Sequence, residues 1–192
     1  TFAARCESEG MTFIGPRSST MRRMADKAAA REVMSQLGVP TIPGSDGALN
    51  GPEHATKVAS EIGFPVLLKA VSGGGGRGLR IVRSEAEVGP AFSEASAEAE
   101  SAFGDGRMYA EKLIEGGRHI EFQVMGDGHR VQILGERECS IQRRHQKLLE
   151  ETPSPALEGP TGAATRDAVV EQIRAACEAM GYRGAGTIEM LL

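Results

Sequence analysis

Aromatic residues are scarce in this sequence: they make up 4% of its 192 residues, and tryptophan is absent. Long apolar runs are missing as well, since no stretch approaches the roughly 18 to 20 residues that a membrane-spanning helix needs. No charged segment with a short apolar stretch behind it follows Thr1, so a secretory signal is not indicated. We therefore expect a soluble protein of the cytoplasm with no membrane partner.

Two further scarcities exclude classes of protein. The formal net charge is −4, so the chain has no general attraction for polyanions and no nucleic-acid partner is predicted. The three cysteines, Cys6, Cys139 and Cys177, are an odd number without CxxC spacing, which speaks against a disulfide framework and a zinc knuckle. We expect them to be small buried hydrophobes. The four histidines lack HxxxH and HExxH spacing, so a metallohydrolase is not predicted.

Glycine, in contrast, is abundant: its 25 residues are nearly double the average usage of about 7%. The glycines concentrate in turns and in one loop, residues 72–78 (SGGGGRG), directly behind an apolar strand that carries Lys69. Four consecutive glycines lose considerable backbone entropy on folding, so an ordinary surface turn explains them poorly unless something must approach the backbone closely. We interpret the segment as a phosphate-gripping loop, and the chain is predicted to bind a nucleoside triphosphate.

Three kinds of phosphate loop can be considered. Gly73, Gly75 and Gly78 satisfy GxGxxG, but a Rossmann site needs a helix directly after the loop, and residues 79–82 (LRIV) alternate like a strand. A Walker A loop would close on GK[ST], which is absent here. A flexible hairpin loop that folds over phosphates, as in kinases, fits best. Lys69 could supply a point charge to the phosphates, or its ammonium group could simply extend into water.

Capping residues, turn residues and the spacing of apolar positions predict an α+β chain. Helices are expected at residues 2–6, 21–37, 52–62, 85–102 and 165–180, and strands at 12–16, 64–71, 79–82, 108–114, 120–124, 131–134 and 187–192. Ser84 and Glu87 are expected to form a capping box for the fourth helix. The connector at residues 39–47 is rich in proline and glycine and is the best candidate boundary between two lobes.

A cluster of cations and amides follows a strand that is expected to end near Glu138. Residues 140–147 (SIQRRHQK) hold three fixed cations, one imidazole and two amide side chains, which suits an oxyanion such as bicarbonate or phosphate. A solvated basic turn is the simpler alternative. Carboxylates on both sides of the run would tend to tie its basic side chains into a fixed network. They are Glu136, Glu138, Glu150 and Glu151.

Glu189 lies on an apolar strand that is expected to be buried, residues 187–192. An uncompensated carboxylate in such a place would cost several kcal/mol, so something positive should face it. Mg²⁺ that bridges ATP phosphates is one candidate, because Mg²⁺ commonly takes only one or two protein carboxylates together with substrate oxygens. A plain ion pair is the other candidate, and the residues alone leave both open.

Taken together, eight segments of the sequence resemble biotin carboxylase, a member of the ATP-grasp superfamily. They are FIGP at 13–16, MADK at 24–27, FPVLLKA at 64–70, the glycine loop, EK at 111–112, GRHIE at 117–121, ECSIQRRHQK at 138–147 and GYRGAGT at 181–187. Their order and spacing match throughout, and the likeness covers essentially all 192 residues. The SIQRRHQK run is highly specific for biotin carboxylases among ATP-grasp proteins.

The resemblance implies an α+β ATP-grasp fold of which this chain is a central fragment. Residues 1–41 would be the end of the N-terminal lobe with a linker helix, residues 42–113 the lid subdomain with the glycine loop, and residues 114–192 the first part of the C-terminal core lobe. Family residues that act on bicarbonate and biotin should lie beyond Leu192. We therefore expect the isolated chain to be poorly active or inactive.

The activity implied by the resemblance is ATP-dependent carboxylation of biotin. Bicarbonate attacks the γ-phosphate to give carboxyphosphate, which then passes its carboxyl group to a biotin ring nitrogen. The cofactors would be ATP and Mg²⁺ or Mn²⁺, with biotin as the carried substrate. The partners would be biotin carboxyl carrier protein and a carboxyltransferase component, and the full-length protein would be a homodimer.

The enzyme would serve acetyl-CoA carboxylase, and so fatty acid biosynthesis, or another acyl-CoA carboxylase; propionyl-CoA, methylcrotonyl-CoA and pyruvate stay open. Two other functions also stay open. A different ATP-grasp enzyme, a carboxylate–amine ligase, is disfavoured by the SIQRRHQK run. A non-catalytic ATP-binding module is compatible with a fragment.

The resemblance also assigns individual residues. Nucleotide contacts are implied for Lys27 and Lys69, and for Gly75 and Gly76 in the lid loop. The adenine-side hinge would be Glu111, Lys112, Leu113 and Ile114, and the nucleotide pocket would be lined by His119, Gln142 and His145. Lys147 and His145 are the implied catalytic residues, with Lys147 near bicarbonate. Glu189 would bind the metal and through it the nucleotide.

Overall fold

A computed structural model of the protein describes residues 1–25, 27–72, 76–143 and 146–192, with the backbone alone for residues 25 and 27–29. The elements in chain order are α1 (Phe2–Ser8), α2 (Ser18–Ala25), α3 (Lys27–Gln36), α4 (Pro52–Ile62), β1 (Val66–Ala70), β2 (Leu79–Val82), α5 (Glu85–Phe103), β3 (Met108–Lys112), β4 (His119–Asp127), β5 (Val131–Arg143), β6 (Gln146–Glu151), a 3₁₀ turn (Pro155–Leu157), α6 (Gly159–Ala179) and β7 (Arg183–Leu191). Within these ranges, no helix is long and apolar enough to cross a membrane.

The elements form two compact units. The three-stranded unit consists of Ala25–Val33 and Pro40–Glu115, and the four-stranded unit consists of Thr1–Met24, Met34–Val39 and Gly116–Leu192. Each unit has its own sheet and its own hydrophobic core. The division at residues 41 and 113 that the family resemblance implies stays a prediction.

The three-stranded unit packs two helices on one face of an antiparallel sheet ordered β2-β1-β3. Alternation along β1 turns Val66, Leu68 and Ala70 into the core. The helices α4 and α5 meet that face through small residues such as Ala59 and Ala95, both fully buried, which lets the helices approach the sheet closely. The predicted α4, β1, β2, α5 and β3 are confirmed, with ends that differ by no more than two residues.

The predicted capping box at α5 is wrong in both of its bonds, because the Ser84 hydroxyl does not accept from the Glu87 N–H group and the Glu87 carboxylate accepts from Arg83 rather than from the Ser84 N–H group. The helix begins directly after Ser84 as expected, but the Ser84 side chain caps no backbone N–H group. Its hydroxyl instead donates to Oε1 of Glu87 at 2.9 Å, and Oε2 of Glu87 accepts the Arg83 backbone N–H at 2.9 Å. The reason is that a carboxylate is a stronger acceptor than a hydroxyl, so the serine donates rather than accepts.

The four-stranded unit is an antiparallel sheet ordered β6-β5-β4-β7 with α6 on one face. Along β4, Ile120, Phe122 and Val124 face α6 and form the centre of the core. Glu121 and Gln123 alternate with them and therefore project from the opposite face. The predicted hairpin between β4 and β5 is confirmed.

Three predictions of secondary structure and one of burial are wrong. Residues 12–16 form no strand; the Phe13 ring instead packs edge-on against Phe2 of α1, with ring centroids 6.1 Å apart. The strand β5 continues past Glu138 to Arg143, and β6 pairs with it. Helix α6 begins at Gly159, six residues earlier than expected, because Pro160 is tolerated in a first turn. The fourth concerns β7, which is not buried.

Strand β6 was not predicted from the sequence, and the reason is physical. All six of its residues are exposed, so it shows no apolar alternation. The helix predicted at 21–37 corresponds to α2 and α3, and residue 26 between them is not among the described residues. The cysteines are confirmed as buried and free thiols.

Candidate functional site

In the three-stranded unit, Lys69 on β1 forms an ion pair with Glu111 on β3. Lys69 lies opposite Tyr109 in the strand register, so the pair joins diagonal neighbours on one face of the sheet. The lysine side chain is 25% exposed and the glutamate side chain 8% exposed. The ammonium group of Lys69 thus has a buried carboxylate as its partner, which holds a positive charge next to the base of the glycine loop.

The glycine loop is anchored at its base. Ser72 donates to Oδ2 of Asp105 at 2.6 Å, and the Ala70 backbone N–H donates to the Gly78 carbonyl at 2.8 Å. Bonds from the Arg107 side chain and then from Ser72 hold the pKa of Asp105 well below its usual range, so the anchor is ionised at neutral pH. Gly76 has φ +79°. The described residues do not include Gly73, Gly74 and Gly75. The nucleotide contact predicted for Gly75 therefore lies outside them.

The predicted hinge, residues 111–114, is fixed by the segments beside it. The Lys112 ammonium group donates to the carbonyls of Gly63 and Phe64 at 2.9 Å each, at the C-terminal end of α4, where a cation is favourable. The backbone N–H groups of Lys112 and Leu113 donate to proline carbonyls at 2.7 and 3.1 Å. The Ile114 N–H group has no acceptor within the described part of the chain, and its side chain is 41% exposed.

In the four-stranded unit, Lys147 bridges two carboxylates. Its ammonium group donates to Oε2 of Glu121 on β4 and, at 2.6 Å, to Oε1 of Glu189 on β7. Glu121 and Glu189 are directly opposite in the sheet register. The expectation that Glu189 is buried is wrong, because β7 is an edge strand whose outward face is open and the Glu189 side chain is 64% exposed. The expectation that something positive faces it is confirmed.

A second cation fixes Glu121. Arg137 on β5 lies opposite Glu121 and donates to its Oε1 at 2.5 Å. Arg137 also contacts Oε2 of Glu150 at 3.3 Å and Oε1 of Gln123 at 3.3 Å. Both oxygens of the buried Glu121 carboxylate are therefore occupied. Glu121 and Arg137 were not among the predicted site residues, although Glu121, like Glu189, is a carboxylate in an apolar strand.

The surroundings of Lys147 keep it charged. Partial burial lowers its pKa, but the bonds to Glu121 and Glu189 outweigh this and raise the pKa above the ordinary value. Lys147 is therefore a permanent cation at neutral pH and cannot serve as a base. Beside it, burial and then the charge of Glu121 raise the pKa of the Cys139 thiol to about 11, so Cys139 stays protonated and is no nucleophile.

The carboxylates that flank the SIQRRHQK run pair with arginines outside it. Glu136 accepts from Arg166 at 2.6 Å, and Glu138 accepts from Arg118 at 2.6 Å and from Ser154 at 2.5 Å. Arg166 lies on α6, which packs on one face of this sheet, and Arg118 directly precedes β4. The flanking carboxylates thus brace the strands, and within the described residues only Lys147 of the run's cations is held by carboxylates.

The remaining predicted residues are placed as follows. His119 is exposed at the start of β4, and its backbone N–H donates to Ser140 Oγ at 3.0 Å. Gln142 lies opposite Lys147 in the β5–β6 register and donates to the Cys139 carbonyl at 2.9 Å. Lys27 is the first residue of α3. Its side chain, and the whole of His145, lie outside the described part.

Glu189 fits the predicted role of metal ligand better than the cluster of Glu121, Cys139 and Glu150 does. Within the described residues, Glu121, Cys139 and Glu150 place one ligand atom each within 4.8 Å of one another. That cluster does not suit a metal, because both Glu121 oxygens are taken by cations and the thiol is protonated. Glu189 is exposed, and its Oε2 has no partner in the described part of the chain. A carboxylate oxygen is a ligand that Mg²⁺ prefers.

The chain matches a known protein family over most of its length. Residues 26–192 match the family described as carbamoyl-phosphate synthase L chain, ATP binding domain. The chloroplastic biotin carboxylase of Arabidopsis thaliana is 51% identical over 192 residues, which are 100% of this chain and 35% of that protein. The chain thus spans about a third of the length of this relative.

Two crystal structures resemble the whole fold. A biotin carboxylase complex with βγ-ATP from Campylobacter jejuni has a TM-score of 0.93 and 51% identity, over 100% of this chain and 42% of that one. The biotin carboxylase domain dimer of 2-oxoglutarate carboxylase from Hydrogenobacter thermophilus, in complex with MgADP, ADP and bicarbonate, has a TM-score of 0.92 and 50% identity, over 99% and 41%. The α+β ATP-grasp fold expected from the sequence is confirmed.

Proposed function

The chain belongs to the family of the carbamoyl-phosphate synthase L chain ATP binding domain, and from this premise we propose that it is part of a biotin carboxylase. The proposed reaction is the ATP-dependent carboxylation of biotin by bicarbonate through carboxyphosphate. One observation carries the proposal: the chain is about half identical to biotin carboxylases over its entire length, both units included.

The three-stranded unit would hold the nucleotide. Lys69, oriented by its ion pair with Glu111, would donate to phosphate oxygens, and Gly75 and Gly76 would bring backbone N–H groups over them. The N–H group of Ile114, which has no acceptor among the described residues, would donate to the adenine ring. Lys112 and Leu113 keep the hinge in place through their bonds to the neighbouring carbonyls. Lys27 would add a further contact.

The four-stranded unit would hold the reacting anion. Lys147 would donate to bicarbonate and neutralise its charge while a bicarbonate oxygen forms a bond to the γ-phosphorus and the bond from that phosphorus to ADP breaks. Carboxyphosphate then loses phosphate as its carboxyl group passes to a biotin ring nitrogen, and the departing phosphate takes the proton of that nitrogen. Because Lys147 is a permanent cation, it would orient and stabilise rather than take that proton.

Other groups would complete this site. His119, Gln142 and His145 would line the nucleotide pocket, with His145 next to the reacting groups. Mg²⁺ or Mn²⁺ would neutralise charge on the ATP phosphates when bound, and Glu189 would hold it. The fit rests on the exposed Glu189 carboxylate, one oxygen of which has no partner among the residues that the structure describes.

The proposed partners follow from the proposed reaction. Biotin would arrive on biotin carboxyl carrier protein, a carboxyltransferase component would use the product, and the full-length protein would be a homodimer in the cytoplasm. The final acceptor would be acetyl-CoA or another acyl-CoA. The relatives differ in both respects: the Arabidopsis protein is chloroplastic, and the Hydrogenobacter domain belongs to a 2-oxoglutarate carboxylase.

The test is incorporation of ¹⁴C from bicarbonate into biotin by the full-length protein, with ATP and Mg²⁺, together with calorimetric titration of Mg-ATP. We expect acid-labile carboxybiotin in amounts equal to the phosphate released. Mg-ATP binding without any biotin-dependent turnover would instead indicate a non-catalytic ATP-binding module. Phosphate release that depends on a carboxylate and an amine would indicate a ligase. Absence of Mg-ATP binding would overturn all three functions.

A further inference from the structure

The two carboxylates that hold Lys147 differ in their surroundings. Glu121 has a side chain that is 5% exposed and donors on both oxygens, Arg137 on Oε1 and Lys147 on Oε2. Glu189 has a side chain that is 64% exposed and one occupied oxygen, with no partner for Oε2 within the described residues. The first carboxylate is fixed by its surroundings, and the second is not.

This difference decides which contact Lys147 can give up. A buried carboxylate that loses a partner is left with part of its charge uncompensated, which is strongly unfavourable. An exposed carboxylate that loses its partner is solvated again by water, so the ion pair contributes little to stability. Lys147 can therefore separate from Glu189 easily but not from Glu121, which Arg137 also holds in place.

We propose that Lys147 has a permanent partner in Glu121 and an exchangeable partner in Glu189. When Glu189 ligates a divalent cation, the ammonium group leaves Glu189, stays on Glu121, and turns its released N–H groups toward the anionic substrate. This inference rests on the proposed function, in which Glu189 is the metal ligand and Lys147 meets bicarbonate. Glu121 and Arg137 are positioning residues in this scheme, because they act through Lys147.

Donor number and charge both support the exchange. An ammonium group has three N–H donors, and Glu121 and Glu189 occupy two of them, so loss of Glu189 leaves two donors for one bicarbonate ion. Three carboxylates, Glu121, Glu150 and Glu189, stand against the two cations Arg137 and Lys147, a formal charge of minus one. A divalent cation on Glu189 changes that charge to plus one. The same event therefore frees donors and makes the cluster attractive to an anion.

The first experiment measures Mn²⁺ binding to the full-length protein by electron paramagnetic resonance, with Mn²⁺ alone as the probe. Lys147→Gln removes the competing cation, so we expect it to tighten Mn²⁺ binding about two- to fivefold, the equivalent of a surface ion pair. Lys57→Gln is the matched control, because Lys57 also forms an exposed ion pair, with Glu61 on α4, and should leave Mn²⁺ binding unchanged. Unchanged or weaker binding by Lys147→Gln overturns the proposal.

Glu189→Gln separates the inference from the proposed function. We expect it to weaken Mn²⁺ binding at least tenfold. If binding persists, Glu189 is not the metal ligand, and both that part of the proposed function and the exchange fail. If Glu189→Gln weakens binding but Lys147→Gln does not tighten it, the ligand assignment stands and only the exchange fails.

A second experiment distinguishes exchange from simple repulsion between the lysine and the metal. The ¹⁵N signal of the Lys147 ammonium group, assigned from its absence in Lys147→Gln, is followed as Mg²⁺ is added. Exchange predicts that Mg²⁺ moves the wild-type signal to the position it already has in metal-free Glu189→Gln, where Mg²⁺ has no further effect. A signal that stays in place while Mg²⁺ binds overturns the proposal.

Discussion

Glu121 on β4 and Glu189 on β7 are directly opposed in the sheet, and the Lys147 ammonium group donates to both carboxylates. Like charges at opposed positions destabilise a pair of strands. Here the repulsion is offset by a cation that comes from β6, two strands away from β4. The same residue that stabilises this part of the sheet is thus the one placed to meet an anionic substrate.

Replacement of Lys147 tests that double role. We expect Lys147→Met to lower biotin carboxylation by at least ~100-fold, the loss typical of removing one preorganised group that stabilises developing charge. Mg-ATP binding should not weaken, because Lys147 is proposed to meet bicarbonate rather than the nucleotide, and the loss of the cation that competes for Glu189 should tighten metal binding only a few-fold. The rate of ¹⁴C fixation and calorimetry measure the two effects. Lys57→Met is the control, and a Lys147→Met variant that keeps a tenth of the wild-type rate would contradict the assignment.

The Lys69–Glu111 pair allows the structural and binding roles of Lys69 to be separated. Lys69→Met leaves the buried Glu111 carboxylate unpaired, which should lower the free energy of unfolding by ~1–3 kcal/mol and weaken Mg-ATP binding. In the double variant Lys69→Met with Glu111→Leu, no charge remains buried, so stability should return while Mg-ATP binding stays weak. Urea unfolding and calorimetry measure the two quantities.

If the double variant recovered Mg-ATP binding along with stability, Lys69 would be a structural residue only. Lys112→Met is a useful comparison in the same unit. Its ammonium group contacts backbone carbonyls at the end of α4 rather than a buried carboxylate, so its loss leaves no buried charge unpaired.

Gly78 closes the base of the glycine loop at a place where the backbone conformation and the close neighbours both favour glycine. Its φ is +64°, and a Cβ atom there would lie 2.8 Å from the Cβ of Ala70 and 3.2 Å from the Cβ of Ala99. Gly104 has a similar φ of +69° but open space around it. Gly78→Ala should therefore lower the free energy of unfolding by ~1–3 kcal/mol more than Gly104→Ala does. Both substitutions strain the backbone, because φ is positive at both positions, but only the methyl group at position 78 lies too close to neighbouring atoms. Urea unfolding measures the difference, and equal losses would show that the sheet and helix relax around the added methyl group.

Cys177 predicts a pH dependence of stability. Burial, and to a smaller extent the charge of Glu178, raise the pKa of its thiol to about 11. Because the folded pKa exceeds the unfolded one, the thiol's contribution is fully present below the unfolded pKa and is lost as the pH rises toward the folded pKa. Between about pH 8.5 and pH 11, wild-type stability should fall by up to ~2 kcal/mol more than that of Cys177→Ala. Urea unfolding at pH 8 and pH 10.5 tests this, and parallel losses would contradict it.

Much of the three-stranded unit could be predicted from local signals. Pro52 marks the start of α4, alternation marks β1 and β2, and the glycine loop between those strands marks a hairpin rather than a helix N-terminus. The extent of β5 and the existence of β6 could not be predicted, because β6 exposes every residue and its partners lie on a strand whose charges hide the alternation. Strand pairing, which depends on contacts distant in sequence, decided both.

The sequence by itself determined the chemistry that this chain carries: a glycine loop behind a strand with Lys69, a cationic run that ends at Lys147, and a carboxylate at Glu189 that needs a positive partner. These follow from residue type and local order. Only the tertiary structure decided the partners. Glu111 reaches Lys69 across the strands, and Glu121, Arg137 and Glu189 meet around Lys147 because four strands bring one residue each to the same sheet face. Electrostatic contacts act through space, so residues up to 68 positions apart in the sequence can form one site.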